Sequence, residues 1–114
     1  MRYKFVLLPF PFDDLAATKV RPALCLTNAV GPHRHVVVAF VTSRLDGPHD
    51  VDTDMVFSDS DLGFVLTGLR VSSRLRVHRL LTVAQSVLLR SLGHLPPERE
   101  AELVKKPQKL FAIT

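Results

Sequence analysis

In the stretch KVRPALCLTN, residues 19–28, an arginine stands directly before a proline at the mouth of an apolar run. A proline opening a strand has no ladder N–H to lose, and it pushes the preceding residue into an extended conformation. The backbone therefore aims Arg21. A guanidinium held in this way suits a phosphate, which it can meet with paired donors, and it equally suits a surface salt bridge. A second group is FVTSR, where Thr42 and Ser43 stand at the point where an apolar strand leaves the core. Hydroxyls there can donate to a phosphate or accept a proton, or else satisfy loop N–H groups. In SRLRVHRL, the period of two of a strand puts Arg74, Arg76 and His78 on one face and Leu75, Val77 and Arg79 on the other. The first face is a phosphate track or a solvated cationic surface. Phe10 and Phe12, between prolines 9 and 11, offer π faces to unpaired bases, or pack back onto the core.

Other chemistries lack their residues. The sequence has no P-loop, no glycine-rich dinucleotide turn and no H-E-x-x-H helix. Its histidines, at 33, 35, 49, 78 and 94, show no ligand spacing, and HDVDTD lacks the downstream glycine and glutamate of a calcium loop. No metal site and no cofactor is expected. Cys25 is the lone cysteine, which removes disulfide frameworks and thiolate clusters and suits a reducing cytoplasm. No apolar run approaches the ~20 residues that cross a bilayer, and the first residues lack the apolar core of a secretory signal.

With 114 residues, 46% hydrophobic and 23% charged, the chain reads as one domain over residues 1–114, large enough for a real core. The net charge of +4 is unevenly spread. Residues 46–61 hold six acids and no Lys or Arg, leaving 15 basic and five acidic residues elsewhere, a surplus of ten. That surplus permits binding to a polyanion by counterion release, and the acidic stretch reads as a solvated loop.

These groups need elements to hold them. YKFVLLPF, PALCLTN and HVVVAFVTS read as three strands, the third buried on both faces because Val36 to Val41 is unbroken apolar sequence. VDTDMVF and FVLTGLRV read as weaker strands either side of the turn-forming SDSDLG, and SRLRVHRL as a strand by alternation. Leu81, Ala84, Leu88 and Leu92 are spaced as a helical stripe, with Thr82 to cap it and Gly93 to end it. A second helix opens at PPERE, with Pro107 kinking or breaking it. Short strands followed by helix predict a mainly β fold: a small, strongly bent antiparallel sheet or half-open barrel, closed at one edge by helix.

Taken in order, FVLLPFPFDDL, KVRPALCLTN, VAFVTSR, LTGLRVSSRLRVHRLLTV and RSLGHLPPE resemble the PemK/MazF family of toxin-antitoxin ribonucleases over nearly the whole chain. The resemblance implies an SH3-like half-open barrel of the CcdB/MazF kind with a carboxy-terminal helix, a homodimer, an antitoxin partner, and cleavage of single-stranded RNA without a metal. By position, Arg21 falls on the arginine of the family's R-P-A-L block and Thr42 on the hydroxyl of its I-T-S block, the usual catalytic pair. Arg76 and His78 fall where some members carry an arginine and, two residues on, an aspartate that share in catalysis; here the aspartate is replaced. Phe10, Phe12, Lys19, Ser43, Arg44 and Arg74, in or beside these blocks, complete the expected RNA-binding set. The family's frequent Gly-Asp before the first strand is also missing, with MRYK in its place. Two other readings keep the fold: a toxin that binds a protein such as gyrase, as CcdB-type poisons do, and a nucleic-acid-binding domain without activity.

Overall fold

A computed structural model of the protein describes residues 1–10 and 19–113, without the side chain of Phe10. Phe12 lies outside the described residues. The elements run β1 (Lys4–Phe10), β2 (Lys19–Cys25), β3 (His35–Thr42), β4 (Asp54–Phe57), α1 (Phe64–Thr67), β5 (Ser73–Ala84), β6 (Arg90–His94) and α2 (Glu100–Leu110). The six strands form one curled antiparallel sheet in the order β4-β5-β3-β2-β1-β6, the mainly β half-barrel that the strand pattern predicts. No helix among the described residues is long and apolar enough to cross a membrane.

Strand β3 lies at the centre and is buried on both faces, as its unbroken apolar run requires. Ala39 and Val41 join Phe5, Leu24, Met55, Phe57, Leu75 and Val77 in one core cluster. Val36, Val38 and Phe40 join Val6, Leu8, Ala23 and Cys25 in a second. Burial pushes the Cys25 thiol above its ordinary pKa, so it behaves as a small apolar side chain. Phe5 and Phe57 meet edge to face, with centroids 5.5 Å apart. Helix α2 is docked by Leu103, 1% exposed, whose burial contributes about 2 kcal/mol. Around that anchor, Arg99 donates both terminal nitrogens to the Val56 carbonyl at 3.1 Å and lies over the Phe57 ring. Lys106 reaches the Val51 carbonyl and Lys109 the Asp52 carboxylate, which tie α2 to the β3–β4 loop. The bond that Lys109 donates to Asp52 raises the Lys109 pKa.

Three local expectations are corrected. No helix runs from Thr82 to Gly93: β5 extends to Ala84, paired with β3 from His35↔Ala84 inward, a 3₁₀ turn covers Gln85–Val87, and β6 pairs with β1. Leu81 and Val83, two apart, pack on the second cluster, so tertiary pairing overrides a helical spacing that rested on few residues. FVLTGLRV is not a strand but holds α1, ended by Gly68 at φ 71°, with the Thr67 hydroxyl donating to the Phe64 carbonyl at 2.6 Å. Strand β2 begins at Lys19, so Pro22 is interior to it, opposite Leu7. Of the two effects expected of Pro107, breaking the helix does not occur: α2 gives up one N–H and continues to Leu110, with Phe111 N–H on the Pro107 carbonyl.

Candidate active site

Strand register brings the predicted groups together. Strand β2 pairs with β1 from Lys19 to Leu24 but with β3 only through Ala23↔Phe40, Leu24↔Ala39 and Cys25↔Val38. Pro22 stands where that second ladder opens. Arg21 on β2 and Thr42 on β3 each stand two residues past the last pair of that ladder, Ala23↔Phe40. On the other side of β3, Thr42 pairs with Arg74 and Phe40 with Arg76, and on the next strand Asp54 pairs with Arg76. Alternation turns the intervening residues, Val41, Leu75 and Met55, into the first core cluster. Arg21, Thr42, Arg74 and Arg76 therefore share the opposite side, where they line one cavity of about 410 Å³.

Five arginines line this cavity, Arg21, Arg44, Arg74, Arg76 and Arg79, with Phe40 and Thr42 between them and Asp46 at the loop side. Their chemistry differs. Arg74 is 3% exposed and donates to the Pro48 carbonyl at 3.0 Å and the Leu45 carbonyl at 2.8 Å, so it clamps the β3–β4 loop that borders the cavity. Arg44 is exposed and 3.7 Å from Asp46, a surface pair worth little by itself. Thr42 Oγ1 accepts the Arg44 N–H at 3.1 Å, which fixes the hydroxyl and leaves its proton as the donor.

His78 is exposed and does not line the cavity, whereas Arg79 does. The predicted alternation holds through Val77 and fails beyond it. Between Ala39 and Phe40 the β3–β5 register slips by three residues, so Val77, His78 and Arg79 face no partner on β3. A bulge of odd length reverses the faces that follow. No Gly or Pro marks it, so Arg79 carries no signal in the sequence. Lys19 and Ser43 are exposed but not among the lining residues.

The acidic segment, expected to be solvated, instead sends one carboxylate inward. The Asp54 side chain is fully buried, with Arg76 Nε at 3.6 Å, His49 Nδ1 at 3.8 Å and Arg74 Nη1 at 4.0 Å. It also accepts the Asp50 N–H at 3.1 Å. Alternation with Met55 and Phe57 fixes the side of the strand on which Asp54 falls; its burial depends on β5 lying alongside. Among the described residues no group of three or more His, Cys, Asp or Glu could hold a metal ion. The arrangement is suited to an anion with several oxygens: guanidinium groups fixed on a sheet, one oriented hydroxyl, and an apolar floor.

The site is thus an arginine-lined cavity on a curled antiparallel half-barrel. Residues 1–111 of this chain match the family described as PemK-like, MazF-like toxin of type II toxin-antitoxin system, and the chain belongs to that family. Among solved structures it resembles the Mycobacterium tuberculosis toxin MazF-mt6, 23% identical over 97% of this chain and 98% of that one, with a TM-score of 0.72. It also resembles an endoribonuclease solved in complex with its cognate antitoxin from a mycobacterial species, 16% identical over 100% and 96% of the two chains, with a TM-score of 0.69. No curated protein matches it by sequence.

Proposed function

We propose that the protein is the toxin of a type II toxin-antitoxin pair and cleaves single-stranded RNA through attack of the RNA's own 2′-hydroxyl. The observation that carries this reading is the opening of Arg21 and Thr42 onto one arginine-lined cavity. In the reaction, the 2′-oxygen loses its proton and bonds to the neighbouring phosphorus, the bond to the 5′-oxygen breaks, and that oxygen takes up a proton. Negative charge grows on the non-bridging oxygens as phosphorus becomes pentacoordinate. Arg21 supplies preset donors to them, and Thr42 donates its remaining proton to one. Arg76 meets the same phosphate from the far side of β3, and Arg79 and Arg44 hold flanking phosphates. His78 does not line the cavity, so in this reading the help with proton transfer falls to Arg76, which does.

Family membership and the solved complex of a similar fold support an antitoxin partner, and a cavity with this surplus of arginine suits an acidic antitoxin segment. The same membership supports a homodimeric cytoplasmic protein whose one domain spans residues 1–114. A gyrase-type protein target would not require five arginines in one cavity. The reading is tested by incubating an RNA pool with the protein in EDTA and analysing the new ends. Ends carrying 2′,3′-cyclic phosphate and 5′-hydroxyl are expected. Ends carrying 5′-phosphate and 3′-hydroxyl, or RNA left intact, overturn it.

A further inference from the structure

The cavity's arginines need something behind them. A guanidinium on a flexible stem loses several rotamers when it is held still, and guanidinium groups crowded on one wall repel one another. Strand β4 provides the counterweight. Asp54, directly across from Arg76 in the β4–β5 ladder, has no solvent exposure, while the Arg76 side chain is one-third exposed. The guanidinium thus has an inner edge and an outer edge. Its Nε is sealed from solvent, has no hydrogen-bond acceptor, and faces Asp54 Oδ1 at 3.6 Å.

The other oxygen of the same carboxylate faces Arg74 and His49 and accepts the Asp50 N–H. Arg74 in turn grips the carbonyls of Leu45 and Pro48. One buried charge therefore connects an arginine of the cavity wall to the loop at the cavity's edge.

We infer that Asp54 is a positioning residue: it holds the inner edge of Arg76, and with Arg74 and His49 the β3–β4 loop, so that Arg76 presents its outer nitrogens to the substrate phosphate before RNA arrives. The inference rests on the ribonuclease reading for its consequence in catalysis, but not for the contact itself. Preorganisation of this kind acts on the transition state, and a misplacement of about 1 Å costs on the order of 100-fold in rate.

Two readouts separate the possibilities. In the free protein, the Arg76 Nε–Hε resonance, assigned by its loss in Arg76→Ala, should exchange with water more slowly than that of exposed Arg44. In Asp54→Asn that exchange should speed up. In cleavage of a defined RNA, Asp54→Asn should lower kcat about 100-fold with KM nearly unchanged. The same change made in Arg76→Ala should lower kcat much less, because the residue it positions is gone. Unchanged Arg76 exchange in Asp54→Asn, or rate losses that simply multiply, overturns the inference. If Asp54→Asn does not fold, Arg76 exchange in the parent protein decides: slower than Arg44 supports the inference, as fast as Arg44 overturns it. RNA left uncut by the parent protein defeats the ribonuclease reading alone, while the exchange measurement still decides whether Asp54 holds Arg76.

Discussion

Arg21→Ala protein should fold as the parent does and cleave RNA about 100 to 1,000 times more slowly, the loss typical of removing one preorganised donor to a developing oxyanion. The side chain is partly exposed and belongs to neither core cluster. Its strand is held independently, by β1 from Lys19 to Leu24 and by β3 from Ala23 onward. The loss should appear chiefly in kcat, because Arg21 is expected to bond most strongly to the charge that forms as phosphorus gains its fifth oxygen. Single-turnover rates at saturating protein, beside a thermal melt, measure both quantities. Arg79→Ala is the useful contrast. It sits on the exposed side of the bulge, and its loss should raise KM and reduce the salt dependence of binding while sparing kcat. A kcat for Arg21→Ala within a few-fold of the parent's would remove Arg21 from the chemistry.

The largest effect on stability is expected at Gly68. At φ 71° it occupies the left-handed region, and a Cβ there would come within 2.1 Å of the Leu92 carbonyl oxygen. Gly93, on β6, faces the same contact from the other side: its Cβ would lie 2.2 Å from the Leu66 carbonyl oxygen. Helix α1 and strand β6 thus touch backbone to backbone, an approach that only residues without side chains permit. Gly68→Ala combines left-handed strain with overpacking against an unyielding backbone and should cost about 3 kcal/mol. Gly31→Ala serves as the control, because Gly31 has φ 75° but nothing within 4 Å of a Cβ, leaving strain alone at about 1 kcal/mol. Urea unfolding of the two variants compares them directly. Equal losses would mean that α1 does not lie on β6 as described.

The same two glycines show where a sequence stops being informative. FVLTGLRV has β-branched and aromatic residues enough for a strand, yet the chain turns into α1 and Gly68 fits against Leu92 of β6, a contact made 24 residues away. Strand β3 was legible because it is buried whatever surrounds it: six apolar residues in a row have one stable environment. The cavity was half legible. Arg21 and Thr42 were visible as types, a guanidinium before a proline and a hydroxyl at a strand's end, and the fold brings both to the lining of one cavity. Arg79 and His78 exchanged places because an unmarked bulge reversed the alternation between them. Asp54 was hidden for a different reason. It closes an acidic stretch that reads as solvated, and the arginines that justify its burial come from β5, about 20 residues further on. Charge in a sequence shows how much there is; only the fold shows which charges meet.

The central claim is that this cavity aligns an RNA 2′-hydroxyl on its own phosphodiester and stabilises the charge that results. It is tested most directly with a short RNA of known cut site in which the nucleotide 5′ to the scissile phosphate alone is 2′-deoxy. The modified strand should bind with nearly unchanged affinity and remain uncut under conditions that fully cleave the all-ribose strand. Cleavage of the deoxy-substituted strand at the same bond would show that the nucleophile comes from elsewhere and contradict the mechanism.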